Sequence, residues 1–242
     1  MKMRNAVILA ILLAASVVGA PDVSQERIEI GGQKHNYYVY APKAVQDRSR
    51  APMLVLLHGA GRDGLSLIDP WKDLAAQEGI ILVAPNAANG RMWQLKVDGP
   101  EPLTAMSDAV RRKYRADANR VYLFGHSAGA AFSLYMAFQA PDVFAAIAVH
   151  AGDVQPTAEK DIVGPLKAVV RKTPILVQVG SDDPYFPPAA VRRTQALFQA
   201  AAFPFEVKEI PHHDHDYYAI SADVNRDAWA FLKDKTLSPA SK

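Results

Sequence analysis

The 242-residue chain has no cysteine, which excludes disulfides and thiolate metal sites and leaves its stability to the core. It also lacks a surplus of either charge, with 27 Lys and Arg against 25 Asp and Glu. Lys2 and Arg4 account for the difference, so residues 21–242 carry 25 of each sign. Nothing in that balance recommends nucleic acid as a partner. Internal repeats and low-complexity tracts are missing too, and only the tail after Leu237 reads as frayed.

What is present begins with a leader. Met1–Arg4 is basic, Ala6–Val18 is small and apolar apart from Ser16, and Gly19-Ala20 follows. Residues 1–20 therefore read as an export signal, with the protein working outside the cytoplasm, in the periplasm or secreted. The run is short of the roughly 20 apolar residues of a membrane span. Pro21 would be a poor first residue for a signal peptidase, so cleavage after Ser16 or Gly19, or an uncut anchor that alone would bring a membrane into play, stands beside cleavage after Ala20.

Residues 21–242, in a chain 50% hydrophobic, are enough for one sizeable core and read as a single domain. Glu26–Ile30 and Lys34–Tyr40 flank Gly31-Gly32-Gln33 as a β-hairpin. Further strands are expected at Met53–Leu57, Ile80–Ala84, Val121–Phe124, Phe144–Val149, Ile175–Val179 and Phe205–Ile210. Helices are expected at Trp71–Glu78, Thr104–Arg115, Ala130–Ala140, Val191–Ala202 and Ala222–Lys233. This alternation predicts an α/β fold with a mostly parallel sheet, helices on both faces and function at the carboxyl ends of the strands. The less regular stretches Asn86–Pro102 and Gly152–Thr173 are candidates for a cover over that end.

The strand Val121–Phe124 runs directly into Gly125-His126-Ser127-Ala128-Gly129, which opens a helix. A serine held on so sharp a turn needs neighbours almost free of side chain, and the helix start points N–H groups at negative charge beside it. Ser127 is thus a candidate nucleophile, which needs a base oriented by a carboxylate. In this fold class they follow in the order Ser, Asp or Glu, His. Gly180-Ser-Asp-Asp-Pro184 supplies Asp183, with Asp182 and the earlier Asp153 as alternatives. Pro211-His-His-Asp-His-Asp-Tyr-Tyr218 supplies His215, with His213 as the alternative. His212, His213, Asp214 and His215 have zinc-compatible chemistry, but neighbours in one loop seldom converge on one ion. No metal or other cofactor is expected. Oxyanion donors fall to the backbone N–H groups of Ala128 and Ala60, the latter in His58-Gly59-Ala60-Gly61. His58 reads as fixing that loop, and His35, His126 and His150 read as packing. Trp93, just past a strand end with Asn86 upstream, is a candidate wall for an acyl or aromatic group.

Several segments carry a family likeness. The hairpin, the His-Gly loop, Asp117-Ala-Asn-Arg-Val-Tyr-Leu-Phe-Gly-His-Ser-Ala-Gly129, Ala140-Pro-Asp-Val-Phe-Ala-Ala-Ile-Ala148, the Gly-Ser-Asp-Asp-Pro turn and the closing His loop together resemble the α/β-hydrolase esterases grouped as polyhydroxybutyrate depolymerase-like and as feruloyl or acetylxylan esterases. The resemblance runs from about Glu26 to Lys233. It implies the α/β-hydrolase fold and ester hydrolysis, and its Gly-x-x-Asp-Pro turn favours Asp183. The last loop departs from that group's Gly-His-x-Trp and is more similar to the S-formylglutathione hydrolase and esterase D group, whose catalytic His occupies the place of His215. That departure points away from polymers and plant cell walls and towards a small-molecule or oligomeric ester. A peptidase or acyltransferase on the same three residues, and a non-catalytic binding protein, are the competing expectations.

Overall fold

The computed structural model describes residues 23–45 and 50–237. The leader 1–20, Pro21 and the tail after Leu237 lie outside the described residues. Eight strands form one sheet: β1 (Ser24–Ile30), β2 (Gln33–Tyr40), β3 (Ala51–Leu57), β4 (Ile81–Pro85), β5 (Ala116–His126), β6 (Ala146–His150), β7 (Ile175–Gly180) and β8 (Phe205–Ile210). Their order is β1-β2-β4-β3-β5-β6-β7-β8. The hairpin β1–β2 is antiparallel and joins β4 antiparallel, while β4 through β8 are parallel. This is the α/β-hydrolase fold.

The central strands are fully buried, as parallel strands covered on both faces must be. Their side chains alternate between two cores. Met53, Val55, Leu57, Leu123, Val149 and Val177 enter one, and Leu54, Leu56, Tyr122, Phe124, Ala148 and Leu176 the other. Helices α3 (Pro100–Tyr114), α4 (Ala128–Gln139), α5 (Glu159–Ala168) and α6 (Pro188–Gln199) close the first core, and α1 (Leu65–Glu78) and α7 (Ser221–Leu232) the second. The short α2 (Leu95–Asp98) precedes α3.

Strand order reverses around β3, which lies between β4 and β5. The loop after β3 and the turn after β5 are thereby side by side, the place where open α/β sheets collect ligands.

Several elements extend past their expected bounds. Helix α1 begins at Leu65 and runs through Pro70; burial of Leu67, Ile68, Trp71 and Ala75 outweighs the lost N–H bond. Helix α3 starts at Pro100, where a proline at the first position fits the helix. β6 starts at Ala146 rather than Phe144. Of the two expected cover segments, Asn86–Pro102 lines a cleft beside the start of α4 through Met92–Lys96. Gly152–Thr173 instead lays α5 against the α4 side through Ile162 and Leu166.

Candidate active site

Ser127 stands between β5 and α4 with φ 57° and ψ −119°, a region that costs a non-glycine residue about 1–3 kcal/mol. Close packing holds it there. A Cβ on Gly129 would lie 2.0 Å from the Leu57 carbonyl oxygen, and one on Gly125 would lie 2.4 Å from the Gly129 carbonyl oxygen. Both glycines are therefore demanded by backbone contact. The Ser127 N–H donates to the His150 carbonyl at 3.1 Å.

The loops after β7 and β8 deliver the partners. Ser127 Oγ is 3.0 Å from His215 Nε2, and His215 Nδ1 is 2.8 Å from Asp183 Oδ2. The other Asp183 oxygen accepts the backbone N–H groups of Tyr185 and Phe186 at 2.8 and 2.9 Å. Burial alone would raise the Asp183 pKa. The hydrogen bonds from His215, Phe186 and Tyr185 outweigh it and hold the carboxyl below its ordinary value. An ionised carboxylate only accepts, so His215 carries its proton on Nδ1 and leaves the Nε2 lone pair for the Ser127 hydroxyl. Phe186 stacks on the His215 ring at 5.6 Å and Tyr185 meets it edge-on at 5.0 Å. The two loops touch through Gly180, where a Cβ would lie 2.1 Å from the His213 carbonyl oxygen.

The alternative residues lie elsewhere. The Asp182 carboxylate accepts the Ser181 hydroxyl at 2.9 Å, and Asp153 is buried with Gln155 and Arg193. The His213 ring turns inward to lie 5.5 Å from His150. Loop Pro211–Tyr218 thus spreads its imidazoles, and among the described residues no three His, Asp or Glu side chains gather as a metal site.

The loop after β3 lies against the nucleophile, since a Cβ on Gly59 would fall 3.4 Å from Ser127 Cβ. Ala60, the next residue, lines the same cleft as Ser127. The Ala128 N–H opens α4 and has no acceptor within the helix. His58 anchors the loop. It is fully buried, with Nδ1 2.8 Å from the Gly59 carbonyl and Nε2 accepting the Ala87 N–H at 3.1 Å. Burial lowers its pKa and keeps it neutral.

Two clefts flank the Ser127–Ala128 turn, Ser127 lining one and Ala128 the other. One, of about 350 Å³, is polar and lined by Ala60, Arg62, His126, Asp214, His215 and Tyr218 among others; the Arg62 guanidinium lies 5.0 Å over the Tyr218 ring. The other, of about 440 Å³, runs between the Met92–Lys96 segment and α4, where Ala128, Ala131, Phe132 and Tyr135 face it. Trp93 is its central wall, donating from Nε1 to the His58 carbonyl at 2.8 Å, with its ring 5.4 Å from Phe132. Asn86 faces neither cleft and accepts the Gly64 N–H. Asp98, buried, ties the loop by accepting from Ala88 and Gln94.

Reading His126 and His150 as packing alone needs correction. Their Nδ1 atoms are 3.2 Å apart, and the His126 ring lies 5.1 Å from that of His215. Burial, and then the neighbouring imidazoles, lower the pKa of His126 to about 4 and of His150 to about 3. A histidine beside the candidate nucleophile was the signal available; nothing local in the sequence marked His150 as its partner.

Residues 103–232, more than half the chain, match the model of the Esterase family. The chain belongs to this family. The chain is 29% identical over 156 residues to the bifunctional acetylxylan esterase/xylanase of Neocallimastix patriciarum, covering 63% of this chain and 22% of that protein. It is 33% identical over 129 residues to feruloyl esterase B of Neurospora crassa, covering 48% and 43%. It thus spans less than half the length of either curated relative. The poly(3-hydroxybutyrate) depolymerase structure from Bordetella parapertussis superposes with a TM-score of 0.69 at 19% identity, covering 91% of this chain and 92% of that one, a likeness of fold.

Proposed function

We propose that this protein is a serine hydrolase of carboxylic esters working through an acyl-enzyme. The observation that carries the reading is the unbroken line from Ser127 Oγ through both His215 nitrogens to Asp183, at 3.0 and 2.8 Å, beside a backbone loop able to take an oxyanion. Ser127 passes its proton to His215 Nε2 as Oγ bonds to the ester carbonyl carbon. The oxyanion is held by the N–H groups of Ala60 and Ala128, each worth about 3–4 kcal/mol. The intermediate then expels the alcohol as His215 returns the proton to it, and water repeats the sequence to free the acid.

The same chemistry assigns the clefts. His215 must protonate the leaving oxygen, so the alcohol lies in the polar cleft that His215 lines. The acyl group lies in the apolar cleft against Trp93. The substrate is a small-molecule or oligomeric ester with an apolar or aromatic acyl part, and no cofactor takes part. The basic start and apolar run of residues 1–20 support export to the periplasm or medium, to be tested by N-terminal sequencing of the extracytoplasmic protein. A start between Val17 and Val23 is expected, and an intact Met1 in the cytosol overturns export. The hydrolase reading is tested by fluorophosphonate labelling. One labelled serine, lost in Ser127→Ala, is expected together with turnover of a panel of acyl esters; labelling that persists in the variant defeats it.

A further inference from the structure

His126 and His150 share one hydrogen bond between two Nδ1 atoms, so one ring donates and the other accepts. His150 is fully buried and its Nε2 has no partner. Were His126 the donor, neutral His150 would carry its own proton on that Nε2, leaving a buried N–H without an acceptor. Orphaned N–H groups are rarer in proteins than orphaned acceptors, and a stranded donor costs its full desolvation. His150 therefore donates from Nδ1, and His126 accepts on Nδ1 and holds its proton on Nε2. The Nε2 edge of His126 turns towards the site: its Cδ2 lies 3.3 Å from a Cβ built on Gly59, the position that is also 3.4 Å from Ser127 Cβ. His126 lines the polar cleft together with His215.

Resting on the hydrolase reading above, we infer that His126 presents an Nε2–H donor, its tautomer fixed by His150, to the alcohol portion of the ester. It thereby selects leaving groups that carry a second oxygen, such as polyols or hydroxy esters. His126 is a binding residue for the departing alcohol, distinct in role from the oxyanion donors.

The test compares kcat/KM for the propyl and the 2,3-dihydroxypropyl ester of one acid. Wild type should favour the hydroxylated ester by about five- to tenfold, the worth of one hydrogen bond. His126→Phe should bring the ratio close to one. His126→Gln should restore most of the preference, because its amide nitrogen falls near the imidazole Nε2, whereas His126→Asn reaches only the place of Nδ1 and should not. If the Phe variant fails to fold, the Gln and Asn pair carries the same decision. A ratio unchanged in His126→Phe, or Gln performing no better than Asn, overturns the inference. A wild type that labels with fluorophosphonate yet shows no preference overturns this inference alone. A wild type that neither labels nor turns over either ester overturns the hydrolase reading with it.

Discussion

The two clefts that flank the Ser127–Ala128 turn are built by different means. The polar one is made of strand ends, and its geometry is locked by backbone contact: Gly125, Gly129 and Gly180 each sit where a Cβ would fall within 2.4 Å of a carbonyl oxygen. The apolar one is made of side chains reaching across a gap, with Met92 and Leu95 exposed at its lip and Trp93 held by a single N–H bond to the His58 carbonyl. Positions set by sheet register cannot drift without moving the sheet. A wall made of side chains can be recut one residue at a time. On the mechanism proposed, the chemistry is therefore fixed by the backbone, and acyl specificity is set by replaceable atoms.

The sharpest break in that contrast is made at Ser127, which lines the polar cleft and adjoins the Ala128 wall of the apolar one. Ser127→Ala should lower ester turnover by about four to six orders of magnitude, as triad members act as one unit. Its unfolding midpoint should stay near that of wild type, since the strain lies in the backbone and the lost hydroxyl has only the His215 contact. Residual activity within a hundredfold of wild type, measured on protein free of wild-type contamination, would remove Ser127 from the chemistry.

Next in size is the acid. Asp183→Asn should cost about four orders of magnitude in kcat, because the amide favours the wrong tautomer of His215. Asp182→Asn should change kcat less than tenfold, its carboxylate being engaged only with Ser181. Kinetics of the two variants decide between them, and the reverse ranking would move the acid to the neighbouring residue.

Much of the polar side was legible in the sequence, because its signals are local. Gly125-x-Ser127-x-Gly129 states the turn, and the candidate acid and base each follow a strand. What a single sequence could not weigh was position in space. Asp182 and Asp183 are adjacent in the chain, and only the turn that buries Asp183 under the Tyr185 and Phe186 N–H groups separates them. His126 and His150 are 24 residues apart and become partners through the β5–β6 register, in which they lie directly opposite. On the apolar side, Trp93 was legible as a large aromatic past a strand end. Phe132 and Tyr135 were not, since α4 is apolar on nearly all sides and its pattern does not distinguish the face over the cleft from the face in the core.

A smaller effect should separate the clefts by pH. His126 and His150 are buried neutral, with pKa values of about 4 and about 3, against about 6.5 in an unfolded chain. Their contribution to stability is full above pH 6.5. Below it the unfolded chain binds protons that the folded one refuses, so stability falls by up to about 1.4 kcal/mol per pH unit for each imidazole until pH nears the folded values. Urea unfolding between pH 7 and pH 5 should show this slope, and His150→Gln should flatten it by about half. A wild-type curve without acid loss in that range would mean that the pair is not held neutral.

The smallest expected change tests the assignment of the clefts themselves. Trp93 offers an aromatic face between His58 and Phe132, at ring distances of 4.7 and 5.4 Å. An acyl ring packed there gains about 1–1.5 kcal/mol beyond its area, or roughly tenfold in kcat/KM. Trp93→Ala should therefore lower the preference for a phenylpropanoyl over an acetyl ester of the same alcohol by about tenfold, while the preference between two alcohols on the same acid stays as in wild type. Trp93→Phe, which keeps a ring but not the N–H bond to the His58 carbonyl, should retain most of the acyl preference if packing is what counts. A Trp93→Ala enzyme that changes its choice of alcohol and keeps its choice of acid would reverse the two clefts, and would place the proton returned by His215 on the wrong side of the ester for the mechanism proposed.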